Sequence, residues 1–182
     1  MSAIQIDSIL YTTKPTNNRS LKEMAVYDLL DELEIPYVRL DHDAAGHVEY
    51  CDEVGKILGV EICKNLFLCN RQKTNFYLLM MPGTKEFHTK DLSKQIDSSR
   101  LSFADEVFMG KFLNVTPGSV SVMGLMNDTD RQVQLLIDKD VVQSKYIGCH
   151  PCINTSSLKV ETADLLQKFL PFVGHEPIFV AL

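Results

Sequence analysis

The chain has 182 residues with a net charge of −6, and 45% of its residues are hydrophobic. This length and composition fit one soluble globular domain, so we expect residues 1–182 to form a single domain with a substantial core. No apolar run reaches the roughly 20 residues of a membrane span, and the N-terminus lacks the pattern of a secretory signal. Five cysteines without an export signal argue against a disulfide framework and predict a cytoplasmic protein.

The charge is unevenly distributed along the chain. From Lys64 to Lys111 there are eight Lys and Arg residues against five Asp and Glu, a balance of +3, whereas the remainder carries −9. The acidic total argues against a protein that coats long stretches of nucleic acid. The basic section can still receive a small anionic ligand, although solvated surface lysines are an equally good explanation.

The first third of the chain contains two helix patterns around one strand pattern. Ser20 and Glu23 form a capping box, and Pro36 ends the helix that follows. The apolar positions predicted for the buried face of that helix are Leu21, Met24, Ala25, Leu29 and Leu33. Next, "YVRLDH" predicts a short strand, and "CDEVGKILG" predicts a short helix that closes at Gly59.

The middle of the chain predicts two hairpins. The apolar runs "LFLCN" and "NFYLLMM" flank the polar "RQKT" and indicate two buried strands. After them, "KDLSKQI" and "DEVFMGKFL" indicate helices on either side of "RLSFA". The segments "SVSVMGL" and "QVQLLID" flank "MNDTDR", whose Asn-Asp pair is typical of a turn, and predict the second hairpin.

The last third adds a strand in "YIGCH", a terminal helix in "ADLLQKFL" and a closing strand in "PIFVAL". Strands outnumber helices, and several neighbouring strands are joined by hairpins. The sequence therefore predicts a mixed α/β (α+β) fold, in which a twisted, mostly antiparallel mixed sheet is wrapped by helices.

The segment "CHPC" places Cys149 and Cys152 three positions apart. Zinc commonly takes two such short-spaced pairs, and the best second pair is His47 with Cys51, which nothing else marks as a site. A redox pair needs a helix N-terminus to lower the thiol pKa, and none is predicted here. Small buried thiols are the favoured interpretation, with no metal and no other cofactor.

Three other positions have both a functional and a structural explanation. Lys64 opens an apolar strand, where its ammonium group can bind an anion or simply extend to solvent. Gly118 follows Pro117 and allows a ligand to approach backbone N–H groups, but it also suits an ordinary turn. His150 alone is more often structural than catalytic. No P-loop, G-x-S-x-G, H-E-x-x-H or G-x-G-x-x-G motif is present.

Five segments, taken in order, nevertheless carry a specific resemblance. They are "KNLFLCNRQKTNFYLLMMP", "RLSFADEV", "LNVTPGSVSVMGLMNDTDRQVQLLID", "HPCINTSSL" and "GHEP", in chain order. Together they resemble the freestanding prolyl-tRNA editing proteins. Those belong to the superfamily of YbaK-type deacylases and the insertion domain of bacterial prolyl-tRNA synthetases. The resemblance implies the fold of that superfamily.

The resemblance also implies site residues. Lys64 matches the lysine that engages the terminal nucleotide of the tRNA, and Gly118 matches the glycine loop that holds the substrate or the attacking water. His150 matches the histidine beside the pocket, which either orients the substrate or acts as a base. The residues implied to bind or support the substrate are Ser119, Ser121, Asp128 and Asn154.

The implied activity is hydrolysis, by water, of the ester in tRNA(Pro) mischarged with alanine, with prolyl-tRNA synthetase as a further candidate partner. Two departures from the family pattern stand out: Val122 replaces the usual loop proline, and His42-Asp43 replaces a His-Pro pair to which no role is assigned. The first departure and the cysteines around His150 keep a cysteinyl-tRNA deacylase open as an alternative. A non-catalytic tRNA or amino-acid binding module is the other alternative.

Overall fold

The computed structural model describes residues 5–44 and 48–182, and the strands in these ranges form two sheets. The smaller sheet has the order β1-β7-β6 and is built from β1 (Tyr37–Asp41), β6 (Tyr146–Cys149) and β7 (Ser156–Glu161). The larger sheet has the order β4-β2-β3-β5-β8 and is built from β2 (Lys64–Cys69), β3 (Phe76–Met81), β4 (Ser102–Phe103), β5 (Val133–Asp138) and β8 (Ile178–Val180).

Short helices connect these strands. They are α1 (Leu21–Glu32), α2 (Val48–Leu58), α3 (Thr89–Gln95), α4 (Glu106–Phe108), which continues as a π-helical turn (Met109–Leu113), a 3₁₀ helix (Val122–Asn127) and α5 (Lys139–Gln143). The last helical segment consists of α6 (Thr162–Asp164), a second π-helical turn (Leu165–Phe169) and α7 (Leu170–Val173). No helix in the described ranges is long and apolar enough to cross a membrane.

The predicted fold class is confirmed. Strands β2 and β3 form the expected antiparallel hairpin, with Lys64 opposite Met81. The pairs β3–β5 and β5–β8 are parallel, and the remaining pairs are antiparallel, so the architecture is mixed but mostly antiparallel. Apolar side chains pack on both faces of the larger sheet: Phe67 and Phe76 lie in one core cluster, and Leu68 and Leu79 lie in another with Leu92 of α3.

The second predicted hairpin is wrong. Residues 122–127 form the 3₁₀ helix because the Ser121 hydroxyl accepts a hydrogen bond from the backbone N–H of Met123 at 3.1 Å and caps the helix. Asn127 Nδ2 then donates to the Leu113 carbonyl at 3.0 Å, which ties the helix to the preceding π-helical turn. Strand β5 pairs with β3 instead, with Val133 beside Phe76 in parallel register.

Helix α1 begins at the predicted cap, where the Ser20 hydroxyl accepts from the N–H of Glu23 at 3.4 Å, but its predicted buried face is partly wrong. Leu21 is 89% exposed, whereas Tyr27 and the Glu23 side chain are buried. Glu23 can be buried beside Tyr27 because its Oε1 accepts a hydrogen bond from the Tyr27 hydroxyl at 3.2 Å. A pattern based on apolar residues alone cannot detect an inner face that includes a paired carboxylate.

The two sheets meet edge to edge beside Gly148. Its N–H donates to the Glu61 carbonyl at 3.1 Å, and its carbonyl accepts from the N–H of Cys63 at 2.9 Å. A side chain cannot fit here, because a Cβ on Gly148 would lie 2.8 Å from the Glu61 carbonyl oxygen. We call this contact the sheet junction. Lys64 follows Cys63 directly, and His150 lies two residues after Gly148, so the junction brings these two positions to the same part of the fold.

Candidate functional site

The glycine loop and the segment after β6 contact each other. The Ser121 hydroxyl donates to the carbonyl of His150 at 2.5 Å. A Cβ on Gly118 would lie 3.5 Å from Asn154 Nδ2, so these two residues are neighbours. The structure therefore brings four of the residues implied by the sequence into one region beside the sheet junction.

The loop around Gly118 offers free backbone donors. Gly118 has a φ of +83°, in the left-handed region that favours glycine. The preceding turn is closed by Ser119, whose N–H donates to the Thr116 carbonyl at 3.0 Å and whose hydroxyl donates to the same carbonyl at 2.9 Å. Ser119 thus supports the turn through its side chain. The N–H groups of Gly118 and Val120 have no hydrogen-bond partner among the described residues and remain available to a ligand.

Lys64 is the first residue of β2, and its ammonium group donates to the Lys85 carbonyl at 2.8 Å. Within residues 5–44 and 48–182 it forms no ion pair with a carboxylate, in contrast to Lys85, which is 2.8 Å from Asp138. The next residue, Asn65, has a buried Oδ1 that lacks a hydrogen-bond partner in the same described ranges. A positive charge and an unused acceptor therefore follow each other at the start of this strand.

His150 is half-buried beside two serines. Its Nδ1 lies 3.0 Å from the Ser156 carbonyl oxygen and 3.3 Å from the Ser157 hydroxyl. Burial lowers the pKa of His150, so the imidazole is neutral at neutral pH. A neutral imidazole can accept a hydrogen bond from a ligand, which an imidazolium cannot.

His42 lies on the other side of Ser157. Its Nε2 is 2.9 Å from the Ser157 hydroxyl, and the centroids of the His42 and His150 rings are 6.2 Å apart. Burial lowers the pKa of His42 as well. Sequence reasoning assigned no role to His42 and did not indicate Ser157, because only the antiparallel pairing of β1 with β7 brings them together. The single available signal was the departure from the family pattern at His42-Asp43.

Asp128 has contacts of a different kind. Its carboxylate accepts hydrogen bonds from the N–H groups of Gln132 at 3.0 Å and Val133 at 2.8 Å, and it lies 3.5 Å from His175 Nε2. These bonds hold the turn that leads into β5. No contact joins Asp128 to Gly118 or His150 in the part of the chain that the structure describes, so its role in substrate binding stays a prediction.

The cysteines of "CHPC" are buried, as the sequence favoured. Burial raises the pKa of the Cys149 thiol, and it raises the pKa of Cys152 to about 12, so neither is a thiolate at neutral pH. Among the described residues, no group of three or more His, Cys, Asp or Glu side chains is arranged to hold a metal ion. His47, the proposed partner of Cys51, lies outside the described residues.

Comparison with known proteins identifies related sequences and folds. A sequence profile of the aminoacyl-tRNA editing domain matches residues 42–168. The prolyl-tRNA editing protein ProX of Acetoanaerobium sticklandii is 33% identical over 144 residues, which cover 79% of this chain and 87% of that protein. The prolyl-tRNA synthetase associated domain-containing protein 1 of Danio rerio is 28% identical over 157 residues, which cover 85% of this chain and 84% of the relative.

The fold has solved counterparts. A proposed trans-editing enzyme for prolyl-tRNA synthetase matches with a TM-score of 0.66 over 91% of this chain and 99% of the other. Because only 13% of the residues are identical, this match concerns the fold alone.

Proposed function

The chain belongs to the aminoacyl-tRNA editing domain family, and from this premise we propose that it is a trans-editing deacylase that hydrolyses alanine from mischarged tRNA(Pro). The observation that carries this proposal is the contact between the Gly118 loop and the His150–Asn154 segment, next to the sheet junction that positions Lys64. The name of the ProX relative supports prolyl-tRNA editing. The proposed domain spans residues 1–182.

The proposed chemistry needs no activated nucleophile from the protein. An aminoacyl ester is already reactive, so its hydrolysis depends on a positioned water and on stabilisation of the developing oxyanion. The free N–H groups of Gly118 and Val120 are suited to polarise the ester carbonyl. The proposal requires no metal and no other cofactor.

Lys64 and His150 take complementary roles in this proposal. The Lys64 ammonium, which has no carboxylate partner in the described ranges, binds the terminal phosphate or ribose of the acceptor end. His150, kept neutral by burial, orients the substrate or its water. The residues proposed to support the bound ester are Ser119, Ser121, Asp128 and Asn154.

The expected partner is the acceptor end of tRNA(Pro), with prolyl-tRNA synthetase as a further partner in the cytoplasm. A synthetase pocket built for proline cannot strongly exclude the smaller alanine, because each methylene contributes only about 1–3 kcal/mol to discrimination. A second pocket that admits alanine and excludes proline removes the error. The basic section from Lys64 to Lys111 lets an acidic protein hold one end of the tRNA.

Deacylation of cysteine-charged tRNA is the second candidate. Val122 replaces the loop proline of the family and is fully buried as the first residue of the 3₁₀ helix. Since this residue directly follows the Ser121 cap, a change of shape here alters the base of the loop and with it the size of the pocket. That observation favours testing cysteine beside alanine.

The test is single-turnover deacylation of tRNA(Pro) charged separately with alanine, cysteine and proline. We expect rapid release of alanine and protection of the prolyl ester. Preferential release of cysteine would replace the alanine assignment with the second candidate. If none of the three esters were hydrolysed while the tRNA still bound, the protein would be a binding module and the deacylase proposal would be wrong.

A further inference from the structure

A chain of hydrogen bonds runs from His150 through Ser157 to His42. Nδ1 of His150 lies 3.3 Å from the Ser157 hydroxyl, and that hydroxyl lies 2.9 Å from Nε2 of His42. At the far end, Nδ1 of His42 lies 2.8 Å from the carbonyl oxygen of Asp43. Ser157 is 1% exposed and His42 is 7% exposed, so water cannot readily replace these bonds.

The chemistry of the end groups fixes the direction of every bond in this chain. A carbonyl oxygen only accepts, so Nδ1 of His42 carries a proton and donates to Asp43. Since burial keeps the ring neutral, its Nε2 has a free lone pair and accepts from the Ser157 hydroxyl. The single proton of that hydroxyl is then donated to Nε2 of His42, so toward His150 the Ser157 oxygen can only accept a hydrogen bond.

The same result follows from the other contact of His150. Its Nδ1 lies 3.0 Å from the Ser156 carbonyl oxygen, which must also accept. Nδ1 of His150 is therefore the protonated nitrogen, and it shares its proton between Ser156 and Ser157. In a neutral ring this leaves Nε2 without a proton, and Nε2 of His150 has no partner among the described residues.

We propose that His42 and Ser157 are positioning residues that hold His150 in the tautomer protonated at Nδ1, so that unprotonated Nε2 faces the substrate as a hydrogen-bond acceptor. The group that it receives is an N–H or O–H donor, either the ammonium group of the aminoacyl ester or the attacking water. This role of Nε2 rests on the proposed function, whereas the tautomer itself does not.

The strand pairing explains why two distant residues can do this. Strands β1 and β7 are antiparallel with Leu40 opposite Ser157, so His42, which directly follows β1, reaches the serine beside His150. If His42 were replaced by a residue that cannot accept, the Ser157 hydroxyl would be free to donate to Nδ1 of His150. That competing bond would weaken the preference for a proton on Nδ1, which the Ser156 carbonyl alone would then hold, and would raise the fraction of His150 protonated at Nε2.

The first test needs no variant and no substrate. Long-range ¹H–¹⁵N correlation spectra of the ¹⁵N-labelled wild-type protein at neutral pH distinguish the two neutral histidine tautomers by their ring nitrogen shifts. We expect both His42 and His150 to be protonated at Nδ1. A His150 protonated at Nε2, or a charged imidazolium in either ring, would overturn the proposal even if deacylation were rapid.

The second test compares two substitutions at the same buried position. In His42→Gln the side-chain amide oxygen can still accept from Ser157, whereas His42→Leu has no acceptor. We expect the single-turnover rate of His42→Gln to stay within about threefold of wild type and that of His42→Leu to fall about tenfold, the loss expected for one hydrogen bond. In His42→Leu the spectra should also show an increased fraction of His150 protonated at Nε2, beside the form that the Ser156 carbonyl still holds.

Thermal unfolding of both variants shows how much packing each has lost. If the two variants lost activity equally, or if the spectra of His42→Leu showed no increase in the fraction of His150 protonated at Nε2, His42 would have only a structural role and the proposal would be wrong. If wild-type protein hydrolysed no ester, the proposed function would fail, and the tautomer assignment would still be decided by the spectra alone.

Discussion

At the residue scale, the backbone at Gly118 has a conformation that other residues adopt at a cost. A Cβ there would lie 3.5 Å from Asn154 Nδ2, an ordinary contact, so the cost of a substitution comes from the φ of +83° and not from a clash. We expect Gly118→Ala to lower the free energy of unfolding by about 1–2 kcal/mol and to slow deacylation, because the loop relaxes and its N–H groups move.

Urea unfolding and single-turnover deacylation measure these two effects separately. A Gly118→Ala protein with wild-type stability and rate would show that the positive φ does not require glycine for stability and that the N–H groups of the loop do not contribute to deacylation.

The residues of the candidate site differ in how far the sequence could reveal them. Lys64, Gly118 and His150 stand in recognisable motifs, so the resemblance identifies them. His42 and Ser157 are separated by 115 residues along the chain and form a pair only because β1 lies beside β7. The unpaired oxygen of Asn65 is likewise a property of its surroundings and not of its type.

At the element scale, the sheet junction at Gly148 joins the segment that leads into Lys64 to the strand that leads into His150. In Gly148→Ala the new methyl group would lie 2.8 Å from the Glu61 carbonyl oxygen and 2.6 Å from Ile62 Cδ1. The isoleucine can rotate, but the backbone carbonyl cannot yield without opening the junction. We expect a loss of about 1–3 kcal/mol in the free energy of unfolding, together with slower deacylation.

Gly110→Ala is the matched control for that substitution. A Cβ on Gly110 meets no atom within 4 Å, and the residue lies in a helical turn. The control should be neutral or stabilising by up to about 1 kcal/mol, since alanine favours helices over glycine. Equal effects of the two substitutions on stability and rate would contradict the role given to the junction.

The elements that the sequence predicted correctly are those with strong local signals. The β2–β3 hairpin has two apolar runs around a polar turn, and α1 has a serine cap. Strand β7 gave no prediction because its first residues, Ser156 and Ser157, are polar, although both are buried between β1 and β6. The segment 119–125 is predicted as a strand, whereas residues 122–127 form a 3₁₀ helix, because a helix this short that is capped by Ser121 has no apolar period of its own.

At the scale of the whole molecule, the buried histidines couple stability to pH. Burial lowers the pKa of His42 and His150 below the ordinary value of 6.5. The hydrogen bonds to the Asp43 carbonyl at His42 and to the Ser156 carbonyl at His150 raise the pKa, but burial has the larger effect. Between the lowered pKa and 6.5 the unfolded chain binds more protons than the folded chain. Their contribution to stability is therefore complete above 6.5 and is lost as the pH falls below it.

Urea unfolding between about pH 7.5 and about pH 5.5 tests this coupling. We expect the free energy of unfolding to fall with decreasing pH, and to fall less steeply in His42→Gln. Glu23 acts in the opposite sense, because burial raises its pKa, so the difference between wild type and His42→Gln isolates the histidine. Identical slopes for the two proteins would show that His42 is not held neutral in the fold.

The most direct measurement for the account as a whole is single-turnover hydrolysis of alanine-charged tRNA(Pro) by wild type, Lys64→Ala and Lys73→Ala. Lys73 lies in the same basic section but is exposed and paired with Asp105, which makes it the matched control. We predict rapid hydrolysis by wild type and Lys73→Ala and a decrease of about 100-fold in Lys64→Ala, as expected for the loss of a charged contact to the bound substrate. Equal rates for the two lysine variants, or no hydrolysis by wild type, would contradict the proposed site.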